Sequence, residues 1–572
     1  MTILAETPSL SPDGLMGPLG SSRRGWTIAA AFTMAAALLP ALIWPGDISW
    51  MNDEAELIAQ AWFGNHAHLL VQRGLAGNFS ISYGPLPTQI YQLLLLITHD
   101  PIRLVELRAG LCAGVTAVSL LWLARSLDLN PWFAGAVVLA PYVWMFNRLM
   151  WDASFAMPLG ALAIAAYAGF LRNRERRWLL LAGACILWLP LIHPQDLPLT
   201  AAVGGHMLWR ERGALWKHRI GVLLVTALVI AFNSIYLRDV MAMLAERLTG
   251  QIQAGYPGAT SRVPSFLAPL MAGRLLAGNM FAEVDAQLKS PPALAGLLEV
   301  AKLGSCVIFP LMWTGIAASI WPRPWRRIIS SGEGNLLAEG KAPTLPSPRV
   351  PGQGTEIGPT RLTTLPHGTH AETHHDSAAG EAARDTMGGI AVSALVLQAL
   401  LYGLMRVPAA PQYFFGSFAV DVLLAWLGVT ALRRVLGLEW AAVGLYALCG
   451  AGITLSALWQ THQFGYPRNT HRPTLANQIQ VAQELNRYSD ITALTDVVPY
   501  LEFANNPKLL RCLRMFYPSV PGQFQTRSGR LMIRYASGPD GHDSRIELIE
   551  MADPFDVPVG ARRIYVTPRS SR

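Results

Sequence analysis

Residues 21–56 read SSRRGWTIAAAFTMAAALLPALIWPGDISWMNDEAE, and the order of events inside that stretch decides what kind of protein this is. Thr27 to Trp44 carries no charge and is long enough to cross a hydrocarbon core. Arg23 and Arg24 in front of it supply the cationic anchor that stays on the cytoplasmic side. Asp53, Glu54 and Glu56 then emerge at the far mouth, where carboxylates are expensive to keep near lipid and so call for a reason. Met1 to Gly20 lacks an apolar core and the first apolar segment has no small-residue cleavage site, so it reads as a retained helix rather than a removed signal.

The rest of the chain agrees with that opening. Of its 572 residues 52% are hydrophobic and only 14% charged, too apolar for a soluble protein of several domains and expected of a polytopic membrane protein. The formal charge of +8 sits in short Arg and Lys clusters between apolar segments, where it sets topology and does not mark nucleic-acid binding. Cys112, Cys185, Cys306 and Cys449 fall inside apolar segments and Cys512 stands alone in the polar tail, so no disulfide framework can be assembled.

After the first span, apolar segments run at 102–124, 131–147, 153–171, 178–192, 197–209, 219–236, 301–321, 388–405, 412–432 and 440–459, which predicts eleven crossings in an α-helical polytopic fold. Gly84 to Thr98, with Pro85 and Pro87 and a brief apolar core, is undecided by length. If it lies along the interface, Arg125, Arg172 to Arg177, Arg210 to Arg219, Arg323 to Arg327 and Arg433-Arg434 all face the cytoplasm; if it crosses, the first three clusters land outside. The segment is therefore expected to be an external interfacial helix. The same parity puts the N-terminus in the cytoplasm and everything beyond Thr461 outside.

The domain plan that follows is a transmembrane unit over 1–460 and a small external α/β domain over 461–572. In the tail, Pro473 to Tyr488 has helical spacing, and Ile491 to Thr495, Arg530 to Tyr535, Ile546 to Met551 and Arg563 to Thr567 read as strands. Residues 322–386, rich in Pro, Gly, Ser and Thr, are expected to be a disordered cytoplasmic insertion. Its His367, His370, His374 and His375 have no convincing ligand spacing, and no metal site is read there.

The polar residues of the external loops are of one kind. The first loop has Asp53, Glu54, Glu56, His66, His68 and Arg73; the second Asn147, Arg148 and Asp152; the third His193, Gln195 and Asp196; the last Arg406, Gln412 and Tyr413. Carboxylates can take a proton from a hydroxyl, and Arg or His can neutralise a departing phosphate, so the set suits transfer from a phosphate-linked donor to an alcohol. Each also has a structural reading. Asp53 can cap a helix starting at Glu54, Asp152 can cap the next span, Arg148 can snorkel, and His193 and Asp196 can serve a turn. Asp421 is an ionisable group inside a span, with function and helix pairing both open.

Trp50-x-Asn52-Asp53-Glu54-Ala55 after the first span, then Ser82-Tyr83-Gly84-Pro85-Leu86-Pro87, then Arg108 in the next span, resembles the GT-C membrane glycosyltransferases. The branch it is most similar to contains the protein O-mannosyltransferases and lipid A aminoarabinose transferases. Asn147-Arg148-Leu149-Met150-Trp151-Asp152 looks like that branch's second external acidic site, and Arg406 to Tyr413 like its late loop. The resemblance implies an inner-membrane enzyme of the bacterial envelope that passes a sugar from a polyprenyl-phosphate carrier to a lipid, glycan or protein acceptor in the periplasm, usually with inversion. It implies Asp53 as general base, or orienter of the acceptor hydroxyl, with Glu54 in support, and no divalent metal. Relatives often carry a basic residue before the paired prolines. Here Tyr83 and Gly84 stand there, so the donor phosphate falls to Arg73, Arg148, Arg406 or a histidine. A transporter or flippase for a lipid-linked glycan, and a scaffold with the carboxylates but no chemistry, are the rival functions.

Overall fold

The computed structural model describes residues 23–50, 52–75, 82–248, 276, 292–320, 370–405, 414–436 and 438–464. In the tail it describes 466–468, 470–472, 474–477, 479, 492–493, 522–526, 529–537, 544–552 and 557–565. Among the described residues seventeen α-helices run in chain order: α1 Arg23–Leu42, α2 Asn52–His66, α3 Leu86–Ile97, α4 Pro101–Ser126, α5 Trp132–Val138, α6 Pro141–Arg148, α7 Ala156–Asn173, α8 Arg176–Ile192, α9 Leu197–Arg210, α10 Arg212–Lys217, α11 Arg219–Phe232, α12 Ser234–Leu248, α13 Pro292–Ser305, α14 Ile308–Ile320, α15 His370–Met405, α16 Phe418–Leu436 and α17 Glu439–Phe464.

Among the described residues six stretches are long and apolar enough to cross a membrane: Arg23–Leu42, Pro101–Ser126, Ala153–Asn173, Leu298–Ile320, Ala379–Gly403 and Glu439–His462. The pair α11 and α12, bent by 72°, makes a seventh if taken as one broken span. The remaining expected crossings form shorter or interrupted helices for local reasons. Pro141 opens α6 and divides 131–147 into helices of 7 and 8 residues. α8 is 17 residues and carries Pro190; α9 is 14 residues. α16 carries Asp421, Arg433 and Arg434 in its 19 residues.

Two sets of contacts mark the two ends of the bundle. At one end the cationic clusters meet acids: Arg172 pairs with Asp128 at 2.7 Å, Arg174 with Glu211 at 2.6 Å and Arg433 with Glu439 at 3.3 Å. At the other end Asp196 accepts from the Gly416 amide, Gly84 donates to the Leu191 carbonyl, and Asp47 pairs with His462. The shorter α8, α9 and α16 therefore still run from one end to the other.

α7 is the centre of the bundle, with 89% of its span enclosed, against 39% for α1. Its run ALAIAAYAG keeps side chains small, so α4 and α8 pack on it closely. Small residues also set the approach of α14 to α16: a Cβ on Gly315 would run into the Leu424 carbonyl, and one on Gly428 into that of Leu311.

α3 is 12 residues, about 18 Å at a helical rise and too short for a core of about 30 Å. Gln89 and Gln92 on its buried side bond to the chain at 65–71: Gln89 Nε2 donates to the Val71 carbonyl at 2.9 Å, and the Val71 amide donates to Gln92 Oε1 at 3.0 Å. Leu93, Leu96 and Ile97 face outward. That is the amphipathic pattern expected for Gly84 to Thr98.

The insertion expected over 322–386 needs correction at its C-terminal side. Residues 370–386 are helical, the first half of α15, because HAETHHDSAAGEAARDT holds good helix formers and no Pro. Ala383 is buried and Arg384 Nε donates to the Leu127 carbonyl at 2.9 Å, so this part is docked on the bundle. Residues 321–369, His367 among them, lie outside the described residues.

Beyond α17 the chain turns through a small hairpin, β1 Tyr466–Arg468 with β2 Thr470–Arg472. An antiparallel meander follows in the order β3 Thr492–Ala493, β4 Gly522–Thr526, β5 Gly529–Ser537, β6 Ser544–Ala552, β7 Val557–Tyr565, with a register shift at Glu550/Met551 between the last two. β3, β5 and β6 fall on three of the four expected strands, β7 overlaps the fourth only at residues 563–565, and β1, β2 and β4 were not read from the sequence. Of the helix expected at Pro473 to Tyr488, residues 475–477 and 479 are helical, Thr474 forms an isolated bridge, and the rest is outside the described residues.

Candidate functional site

α2 begins at Asn52, so Asp53 and Glu54 occupy its first turn, where acidic side chains favour the exposed amides of a helix start. The two point differently. Asp53 is exposed, whereas Glu54 is 5% exposed and acts on the buried Tyr91 of α3. Arg108 reaches the same interior group from α4. Fully buried, it donates to the carbonyls of Phe146 and Asn147 and to Ser154 Oγ, and its guanidinium lies 4.8 Å from the Phe155 ring centroid. That clamp fixes the turn between α6 and α7, and Asp152 is on that turn.

Asp152 is 2% exposed and its Oδ1 accepts from the Ala153 amide at 2.7 Å, while Oδ2 has no partner among the described residues. Burial pushes its carboxyl up to about 7; the Ala153 bond pulls the other way, and the Asp53 charge adds to the rise. The two acidic positions expected from separate loops thus share one electrostatic neighbourhood.

Tyr83 and His193 are also brought together. The backbone at 74–75 pairs with Tyr83 through Gly74 N to Tyr83 O at 2.8 Å and Tyr83 N to Leu75 O at 2.7 Å, and this hairpin lays the Tyr83 ring over His193 with centroids 5.6 Å apart. Burial holds His193 down to about 4, opposed by its bond with Gln195, so the imidazole is neutral at neutral pH. Next along the chain Asp196, 2% exposed, accepts from Gly416 N at 3.0 Å, its carboxyl raised by burial. Asp421, one turn into α16, is completely buried, and neither of its carboxylate oxygens has a partner among the described residues.

The two described arginines from the loops are engaged. Arg73 pairs with Asp239 of α12 at 2.7 Å, with about half of its side chain exposed. Arg148, 1% exposed, donates to the Trp44 carbonyl and lies 5.3 Å from the Trp144 ring. Arg406, Gln412 and Tyr413 lie outside the described residues.

Sequence reasoning passed over three features. Asp47 Oδ2 meets His462 Nδ1 at 2.7 Å and the His462 ring stacks on Trp44 at 4.1 Å, which ties the end of α1 to the end of α17. Burial raises the Asp47 carboxyl, against the His462 bond and the Arg148 charge. Ser49 bridges Thr474, and the amides of Leu475 and Ala476 donate to the carbonyls of Ile48 and Gly46 at 3.1 and 2.9 Å, so the chain after α17 is strapped to the first loop. Arg108 entered only as part of a motif, although a charge inside a span was itself a signal. Among the described residues no group of three or more His, Cys, Asp or Glu side chains could hold a metal ion.

An open groove of about 480 Å³ is lined by Glu56, Gln60, Phe63, Val71, Gln72, Arg73, Gly74 and Ser82. One side is the outer stripe of α2 and the other the extended segment 71–74 with Ser82.

Fold and site together define a multi-span helical membrane protein with buried and exposed carboxylates gathered at one end of its bundle. Among solved structures the chain is similar to ArnT from Cupriavidus metallidurans bound to undecaprenyl phosphate, at 12% identity, with 86% of each chain covered and a TM-score of 0.47. No protein-family model matches the chain, and no curated protein matches it.

Proposed function

We propose that this protein is an integral-membrane glycosyltransferase that moves a sugar from a polyprenyl-phosphate carrier to an acceptor hydroxyl on the periplasmic face of a bacterial inner membrane, through eleven crossings and with its tail outside. The observation that carries the reading is the electrostatic coupling of Asp53 and Asp152, the two acidic positions matched by resemblance to the GT-C enzymes. The cationic clusters at the opposite end support the orientation, since such clusters stay in the cytoplasm.

In this reading the acceptor oxygen attacks the anomeric carbon while the bond from that carbon to the phosphate oxygen breaks, its electron pair leaving on the phosphate. The hydroxyl proton passes to Asp53, the exposed carboxylate of the pair. Asp152, whose carboxyl titrates near neutrality, holds a proton close by and limits the build-up of negative charge beside the base. Glu54 and Arg108 support from below through Tyr91 and the 146–154 turn. Tyr83 on His193 and the Asp196 carboxyl complete the wall nearest α8 and α16. Arg406, Gln412 and Tyr413, outside the described residues, stay candidates for substrate binding in this reading.

The test is transfer of radiolabelled sugar from polyprenyl-phosphate carriers by the purified protein in nanodiscs. Transfer that Asp53→Asn abolishes supports the reading. Carrier translocation without transfer would make it a flippase, and neither activity would leave a scaffold.

A further inference from the structure

The groove along α2 has a charge and a shape that select its ligand. Asp53, Glu56, Gln60 and Phe63 follow one another at helical spacings of three, four and three residues, so they form one stripe on α2 that leads away from the proposed base. Glu56, Gln60 and Phe63 of that stripe line the groove, opposite Gln72, Arg73 and Ser82. The cation is already neutralised by Asp239 at 2.7 Å, while Glu56 contributes a carboxylate; an anionic phosphate would meet more negative than free positive charge there. Hydrogen-bonding groups are in better supply. Gln60 Nε2 donates to Glu56 Oε1 at 3.3 Å with one N–H and keeps a second, while its Oε1 is turned away from solvent. Phe63 is 56% exposed, with Trp62 edge-on at 5.1 Å, a flat apolar face open to a ligand.

We propose that this groove is the acceptor subsite and that it takes an uncharged, hydroxyl-rich ligand of the sugar type, with the Gln60 amide nitrogen donating to a ligand hydroxyl, Glu56 and Gln72 as further polar contacts, and the Phe63 ring against the apolar face of the sugar. The proposal deepens the transferase reading and rests on it for the word acceptor, but the binding itself is independent of turnover. It assigns donor and acceptor to different places: the phosphate of the carrier is held elsewhere, and the hydroxyl to be glycosylated approaches Asp53 along α2.

The test uses the full-length protein in nanodiscs and two headgroups on the same alkyl chain, decyl maltoside and decyl phosphate, titrated with tryptophan fluorescence as the readout, Trp62 being the neighbouring reporter. Decyl maltoside is expected to bind, and Gln60→Leu and Phe63→Ala should each weaken it roughly three- to tenfold, the worth of one hydrogen bond or one stacking face. Arg73→Gln should leave it within about twofold. Asp53→Asn, inactive in transfer if the function is right, should bind the maltoside like the unmutated protein; this separates failure of the groove from failure of the transferase reading. The proposal is overturned if Gln60→Leu and Phe63→Ala both leave maltoside affinity unchanged, or if decyl phosphate displaces the maltoside from the groove and Arg73→Gln abolishes that displacement. Both substitutions lie on the outer stripe of α2, and a melting temperature within a few degrees of the unmutated protein confirms that each variant is folded.

Discussion

The carboxylate of Asp53, exposed in the first turn of α2, adds to the proton affinity of Asp152, buried at the turn between α6 and α7. Two acids from different loops are thereby coupled, and one of them is poised to hold its proton near neutral pH while the other stands open to a substrate. That asymmetry is what a proton-accepting site needs, since two ionised carboxylates at close range oppose each other.

Asp53→Asn should lower turnover by roughly two to four orders of magnitude while leaving the fold intact, the usual worth of a positioned base. Single-turnover transfer and donor titration check it. If the residue deprotonates the acceptor, donor affinity stays the same and the chemical step alone slows. Full activity in a well-folded Asp53→Asn preparation would return the residue to a structural role at the helix start.

Asp152 predicts a pH dependence of stability with a definite sign. The unfolded chain releases this proton near pH 4, whereas the native carboxyl keeps it up to about 7. Across that window the native state binds more protons, so raising the pH destabilises it. The melting temperature of the unmutated protein should therefore fall relative to Asp152→Asn between about pH 4 and about 7 and run parallel to it above. A difference that stays constant over the range would show that the carboxyl is not held protonated. Asp152→Asn should also remove any activity inflection near neutrality.

Arg108→Leu should be among the most damaging single changes. It leaves the carbonyls of Phe146 and Asn147 and the Ser154 hydroxyl without the donor that now holds them. A loss of at least about 1–3 kcal/mol is expected, the cost of leaving a buried acceptor without its donor. Because the same turn carries Asp152, the activity that survives should show a displaced pH inflection, read from a pH profile of transfer.

The strap between the first loop and the chain after α17 predicts a disulfide. Residues opposed across an antiparallel bridge have Cα atoms about 4.5–5.5 Å apart, within the range a disulfide spans. Ser49→Cys with Thr474→Cys, in a background with the five native cysteines replaced, should cross-link without added oxidant if both lie in the periplasm. The readout is maleimide labelling that appears only after reduction. Two free thiols on cells grown aerobically would place this end of the bundle in the cytoplasm and sink the topology.

Shortening the insertion should be harmless within 330–365, since closing a loop of different length costs little. A deletion extended through 379–387 should not be tolerated, because it removes the Arg384 bond to the Leu127 carbonyl together with buried Ala383 and Met387. Arg384→Ala alone should cost about 1–3 kcal/mol, measurable as a lower melting temperature.

The membrane class, the positions of most helices and the division between the polar end and the cationic end were legible in the chain itself, because hydropathy and Arg placement are local and the bilayer imposes them along the sequence. The strands β5 and β6 were equally legible from alternation between turn residues. What the chain could not disclose was how far each helix runs and which polar groups meet. Pro141 cuts a segment of adequate hydropathy into two short helices, and the Ala-rich stretch at 370–386, spoiled in composition by its Pro-rich neighbours, joins α15 and docks on Leu127. Likewise Asp53 and Asp152 could be named from their loops, but only tertiary packing turned one toward solvent and buried the other. Burial, and with it the proton affinity of Asp152 and the neutrality of His193, depends on what the rest of the bundle places around a side chain, and no local pattern of residues encodes that.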